Sequence, residues 1–296
     1  MKKHHTLFRS SYIFDFFNLL FLSLLALSCL LPFVNVMSIS LSDSAKASSG
    51  IVGFWPVEFT LSSYQFAFMK PRFITSMLNS IIRVVVGLCV NLLLTILVAY
   101  PLSKNRRQFP GRTGIAWFFV LTMLISVGLI PRYLTVVWTG LRGSFWSLII
   151  PGAVPIWYVL ILLNFFRSLP GELEESATLD GAGHWRILFQ IFVPLSMPCI
   201  ASLIVFISVD HWNEWLSGAI FLDQVEQYPL ATYLHNVLKR PSFDNMDVNQ
   251  LQQVMKISSR TLQSAQIMMG AIPIIMVYPF LQRYFVKGLT LGGLKG

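Results

Sequence analysis

Glu174-Glu175-Ser176-Ala177-Thr178-Leu179-Asp180-Gly181-Ala182, closing at Ile191-Phe192-Val193-Pro194, is a polar, acidic island between two long apolar runs. The chain around it is 55% hydrophobic and 12% charged, against the roughly 25% charged residues of soluble domains. In so apolar a chain, such an island is retained where something outside the bilayer binds it. It reads as two helical pieces with a break. Leu173 to Leu179 can form a turn or two of helix. Asp180 suits a helix N-cap, and Gly181 can take backbone angles that a Cβ forbids. Ala182 to Phe192 then restarts a helix, with Ile187, Leu188, Ile191 and Phe192 at helical spacing. Helix, kink, helix on a membrane face makes a compact knob.

Working outward, the apolar runs predict an all-α polytopic membrane protein with six transmembrane helices, each near the roughly 20 residues a bilayer needs. The spans are expected at about Tyr12–Met37, Ile74–Pro101, Ile115–Tyr133, Phe145–Phe166, Ile187–Val209 and Ala265–Phe285. Residues 1–11 then precede a membrane domain of residues 12–286, and residues 287–296 form a tail. Within the domain, 167–186 is the loop carrying the island and 210–264 the long loop on the opposite side. Pro32, Pro151, Pro155, Pro194, Pro198 and Pro273 lie in or near the spans. Membrane helices tolerate such breakers when neighbours satisfy the freed carbonyls. The first apolar run outlasts a signal-peptide h-region, so the first span is expected to remain uncleaved.

Basic residues set the orientation. Lys2, Lys3 and Arg9, with Lys104, Arg106, Arg107 and Arg112 in the short loop after the second span, place both termini and the island on the cytoplasmic side. The net charge of +9 therefore reads as topology and lipid contact. It does not read as nucleic-acid binding, since no basic stripe is interleaved with aromatics. Cys29, Cys89 and Cys199 fall far apart inside spans, which argues against a disulfide framework or a zinc site. No metal-ligand spacing, phosphate-cradling glycine loop or nucleophile elbow is present. No catalytic residue, metal or cofactor is expected in this chain, so any driving energy comes from elsewhere.

The island resembles the EAA loop of the membrane subunits of binding-protein-dependent ABC importers, roughly E-A-A-x-x-x-G, nine residues, then I-x-L-P. Glu175, Ala177, Gly181, Ile191 and Pro194 match at the right spacing; Ser176 stands where the second letter is Ala, and Val193 where Leu is usual. The resemblance implies a type I importer permease fold with a coupling helix that docks into an ATPase. On it, Glu174, Glu175, Ser176, Ala177, Asp180, Gly181, Ala182, Ile191 and Pro194 are the expected coupling residues. It also implies the partners: a second homologous permease, a dimer of cytoplasmic ABC ATPases that hold the ATP and Mg, an extracytoplasmic solute-binding protein, and membrane lipid. Two more segments narrow it. Trp212-Asn213-Glu214-Trp215 is similar to a W-N-E-aromatic sequence of the sugar-importing branch. The tail from Gly288, with Gly292, Lys295 and Gly296, resembles the G-x-T-x-G-x-x-K-G tail of the second permease in maltose-type importers. In that relative it reaches between the two ATPases, and glycines would let an extended chain thread a narrow groove. The outer loop Leu222 to Ser264 and the ending Tyr278 to Phe285 look like permeases for larger, often acidic oligosaccharides such as oligogalacturonides and alginate fragments.

Polar and aromatic groups inside or beside the spans are candidates for the substrate path: Arg83, Asn91, Trp157, Tyr158, Asn164, Ser208, Trp212, Asn213 and Glu214. Each has a plainer use. Asn and Ser hold membrane helices together, and Trp anchors at the bilayer interface. Arg83 lies roughly 10 Å below the outer surface at about 1.5 Å per residue. A charge at that depth marks function by default; it could hold a substrate carboxylate, a lipid phosphate or a carboxylate of the partner permease. Two rival classes stay open. An ion-coupled secondary transporter would want charges deep in paired, broken helices and an internal repeat. A polytopic membrane enzyme would want a cluster of acids and His at one depth, for which Asp210, His211 and Glu214 are the only group.

Overall fold

The computed structural model describes residues 5–125, 127–239 and 259–292, with side chains described over 14–125, 127–237 and 260–276. Every regular element among them is helical. The principal helices are α1 (His5–Ser40), α2 (Pro71–Ser103), α3 (Arg112–Leu124), α4 (Leu129–Trp138), α5 (Ile156–Ser168), α6 (Glu172–Leu179), α7 (His184–Ile187), α8 (Met197–Asn213), α9 (Leu216–Phe221), α10 (Leu230–Lys239) and α11 (Ser259–Gly292). The chain divides into two compact units, residues 1–70 with 237–269, and residues 71–236 with 270–296.

In the first unit α1 is exposed on every side over residues 14–34, as suits a helix apolar all round whose solvent is lipid. Its last turn changes character. Ser38, Ser40 and Ser42 are buried. Ser38 donates to Phe54 O at 2.6 Å and Ser42 to Ser38 O at 2.6 Å, while Val57 N donates to Ser42 Oγ at 2.9 Å. Those hydroxyls pin the following loop to the end of α1.

The second unit is built on α2. Its buried residues Phe73, Ser76, Ser80, Arg83, Gly87, Asn91, Thr95 and Ala99 recur every three or four positions and so share one face. Most are small or polar. Leu78, Ile81, Ile82, Val85 and Leu93 point outward. Small residues let helices approach closely where lipid is as apolar as leucine, and α2 packs on α8 and α5 along this stripe. At Gly87 the approach is so close that an added Cβ would run into the His211 ring. At the far end of α2, Tyr100, Phe166 and Phe192 form an edge-to-face trio with centroids 5.2 to 6.5 Å apart. Such pairs contribute about 0.5–1.5 kcal/mol each beyond their burial.

Among the described residues two helices are long and apolar enough to cross a membrane, Phe14–Ser40 and Pro71–Ser103, or up to five spans if each bent pair counts as one. The third, fourth and fifth expected spans are therefore not single helices. The third breaks between Leu124 and Leu129, where Gly128 has φ +77°, outside any continuing helix. The fourth begins as two 3₁₀ turns, Phe145–Leu148 and Ile150–Gly152, and bends by 48° into α5. Pro151 and Pro155 cause this, since neither has an N–H to give and each restricts the residue before it. The fifth bends by 80° between His184–Leu195 and Met197–Asn213. Pro194 and Pro198 flank the corner, and a π-turn at Leu188–Phe192 precedes it. So Ile187 to Pro194 leave the axis of α8. The sixth expected span lies within α11. Residues 210–264 are not plain loop where described, because α8 ends at Asn213 and α9 and α10 follow. The tail is helical through Gly292 rather than extended; Lys295 and Gly296 lie outside the described residues.

Candidate functional site

The acidic island forms α6. Glu172, Glu174 and Glu175 sit in its first turn, where the helix dipole favours negative charge, by about 0.3–1 kcal/mol each at exposed positions such as Glu172 and Glu175. The helix ends in a Schellman motif. Gly181 N–H donates to Thr178 O at 3.0 Å, Ala182 N–H donates to Ala177 O at 2.9 Å, and Gly181 takes φ +76°. The positive φ stops the helix one residue after Asp180. Asp180 therefore closes α6 and does not cap the next helix; Gly183 precedes α7 with no side-chain cap.

The knob has two faces. Glu175, Ser176, Asp180 and Gly181 are exposed, and Leu179 is 89% exposed. Trp185 stands out beside them, stacked on Phe189 at 6.1 Å. On the inner face Ala177, Ala182 and Ile191 pack against the core that holds buried Ile187, Leu188 and Phe192. Pro194 lies at the surface of the short turn Val193–Leu195.

Glu174 differs from its neighbour Glu175. Its carboxylate turns inward and meets Lys104 Nζ at 2.7 Å, the two side chains being 16% and 7% exposed. The ammonium also lies 4.0 Å from the Tyr100 ring centre and 4.2 Å from that of Phe192. Burial pushes the Lys104 ammonium below its ordinary value, and the adjacent Glu174 carboxylate offsets part of that fall. Arg167 donates to Leu102 O at 3.0 Å and Arg112 to Lys104 O at 3.2 Å. Three cations thus converge on the C-terminal end of α2, where a helix has orphan carbonyls and partial negative charge.

The candidate path residues are spread over the unit and mostly engage one another. Arg83, on the inner stripe of α2, pairs with the Glu214 carboxylate and donates to Glu214 O at 2.7 Å. Glu214 Oε1 in turn accepts from Ser217 N at 2.8 Å, at the start of α9. Asn91 donates to Gly152 O at 2.9 Å and lies 3.3 Å from His211 Nε2. Tyr158 donates to Asp210 and stacks on Phe206. Trp212 Nε1 donates to Gly270 O at 3.1 Å. Trp157, Asn164 and Asn213 are exposed, and Ser208 is half-buried.

Sequence reasoning used Lys104 only to orient the chain and left Tyr100 out. A signal was present: Tyr100 and Lys104 are four apart and so share one helix face, at the last turn of a long apolar run. The contact between Gly87 and His211 was equally unannounced, because close approach between two helices leaves no mark on either alone.

A helical chain with long apolar helices meeting through small residues, and an exposed two-turn helix braced against them, has the make-up of a membrane-embedded protein. Residues 134–291 match the family described as binding-protein-dependent transport system inner membrane component, and the chain belongs to that family. It is 35% identical to the polygalacturonan/rhamnogalacturonan transport system permease protein YtcP of Bacillus subtilis (strain 168), covering 96% of this chain and 99% of that one. It is 34% identical to Protein LplC of the same organism, covering 99% and 98%. Among solved structures it is similar, with a TM-score of 0.85 and 30% identity over 94% of this chain and 98% of the other, to a chain of a bacterial ABC transporter involved in the import of the acidic polysaccharide alginate.

Proposed function

We propose that this chain is the permease subunit of an ATP-driven importer of acidic oligosaccharides. It crosses the inner membrane six times with both termini in the cytoplasm, pairs with a second, homologous permease, and receives substrate from an extracytoplasmic binding protein. Its α6 is the coupling helix, seated on one of two cytoplasmic ATPases that hold the ATP and Mg. The carrying observation is the division of the island into an inward and an outward face, with Glu175 and Leu179 left outside. Leu179 is exposed together with the stacked Trp185 and Phe189, and apolar surface bordered by acidic residues supports a docking face, since such rimmed patches mark interaction sites. The family description names the dependence on a binding protein. One relative is named for polygalacturonan/rhamnogalacturonan transport and the similar structure for import of the acidic polysaccharide alginate, which supports a uronide substrate. Arg83 has its charge matched by Glu214 in this conformation, so it is not offered to a substrate carboxylate.

The test is mild extraction from the native membrane, comparing wild type with a Glu175→Ala/Gly181→Ala double variant. Wild type is expected to bring down an ATPase and a second permease, and the variant to lose the ATPase. A chain that purifies alone, indifferent to the substitutions, would return the ion-coupled transporter to the front. For the substrate, cells should take up labelled trigalacturonate and leave maltotriose; the reverse preference sinks the acidic reading.

A further inference from the structure

We propose that Lys104 is the positioning residue that makes α6 move as one body with the end of α2. The inference rests on the reading of α6 as the coupling helix.

A short helix transmits a push only if it is tied to something stiff. The chain connections of α6 are poor ties. It is entered through Pro170-Gly171 and left through Gly181-Ala182-Gly183, and nothing lies within 4 Å of where a Cβ would stand on any of those three glycines. The helix has two turns and no fully buried residue. Of the residues of α6 only Ala177 packs against the core cluster, and beside it a cavity of about 350 Å³ lined by Leu97, Tyr100, Lys104, Trp185 and Leu188 separates the end of α2 from α7.

The Lys104–Glu174 pair is the one ion pair of α6 among the described residues. It is also placed as a tie should be. The ammonium is held from three directions: by Tyr100 of its own helix, by Phe192 after the knob, and by Glu174 of α6. Low exposure raises the strength of each attraction and removes competing water. The backbone at Leu102 and Lys104 is fixed in turn by Arg167 at the end of α5 and Arg112 at the start of α3. One side chain therefore joins α6 to a junction where α2, α3 and α5 already meet. Glu175 and Leu179 face away from it, so docking and anchoring use different residues of the same helix.

The experiment uses the chain co-purified with its ATPases, in lipid nanodiscs, with Cys29, Cys89 and Cys199 replaced by Ser. Spin labels at Asn105→Cys and Glu172→Cys, both exposed, report the distance between the end of α2 and the start of α6, with and without ATP, Mg and vanadate. In the wild-type background that distance is expected to stay constant through vanadate trapping. With Lys104→Met it should change on trapping, while ATPase recovery stays at the wild-type level and stimulation of ATP hydrolysis by the binding protein falls. Couplings between sites span about 5–150-fold, and a fall of about tenfold is expected. The exchange Lys104→Glu/Glu174→Lys should restore part of the stimulation. A wild-type distance that shifts on trapping overturns the proposal without reference to any variant. So does Lys104→Met with full stimulation, or with the ATPase lost, which would make Lys104 a docking residue. Failure of any ATPase to accompany the wild type would instead overturn the coupling reading beneath it.

Discussion

The Arg83–Glu214 pair gives the sharpest energetic prediction, because its two members are unequally buried: Arg83 is 2% exposed and Glu214 35%. Glu214→Gln removes only a charge, since the amide oxygen can still accept from Ser217 N. It strands a guanidinium with no compensating anion, and breaking a buried pair in this way costs about 3–5 kcal/mol. Arg83→Met strands the carboxylate instead. Glu214 reaches water and keeps its Ser217 bond, so the loss should be nearer the cost of one unmade charged hydrogen bond, about 1.5–3 kcal/mol. The Arg83→Met/Glu214→Gln double variant buries no unpaired charge, and should be less damaging than the sum of the singles by about 2 kcal/mol, within the range for residues in contact. The assay is equilibrium unfolding of the purified chain in mixed micelles, followed by intrinsic tryptophan fluorescence. Additive singles would refute the pairing. Equal damage from the two singles would refute the argument from burial.

Gly181 has φ +76° and open space where a Cβ would go. Gly181→Ala and Gly181→Leu should therefore both weaken ATPase recovery through backbone strain of about 1–2 kcal/mol, with membrane insertion intact; a steep dependence on side-chain size would contradict this. Gly87→Ala forces the α2–α8 contact apart at His211 and should destabilise by about 1–3 kcal/mol as overpacking does. Adding His211→Ala should recover part of that loss in the same unfolding assay, and no recovery would mean the clash lies elsewhere. Leu179→Asp touches only an exposed position, so stability should hold within about 0.5 kcal/mol while ATPase pull-down fails; unchanged pull-down would remove Leu179 from the docking face.

Local chemistry was legible wherever the chain itself decided the outcome. The second span was placed within a few residues of α2, and α6 within one, because apolar length and a glycine stop are properties of adjacent residues. The family followed from the spacing of the island. Less was visible where two segments decide together. Asp180 has good N-cap chemistry, yet the positive φ of Gly181 assigns it to the preceding helix. The prolines near the fourth and fifth spans announced breaks, but whether a proline kinks a helix or turns it by 80° depends on what receives the freed carbonyls. Arg83 was recognised as a buried charge, and its carboxylate proved to be Glu214, 131 positions along the chain. Lys104 was hidden by its own usefulness as a marker of orientation.

The 80° corner at Ser196 gives the segment from α7 to α8 the form of a crank. A sideways displacement of its short arm, which lies across the axis of α8, would spin the long arm about itself more than it would lift it. Asp210, His211 and Asn213 lie at different azimuths on that long arm. Such a rotation would change which of these side chains faces α2 and which faces away from it, with little change in the position of each along the axis of α8.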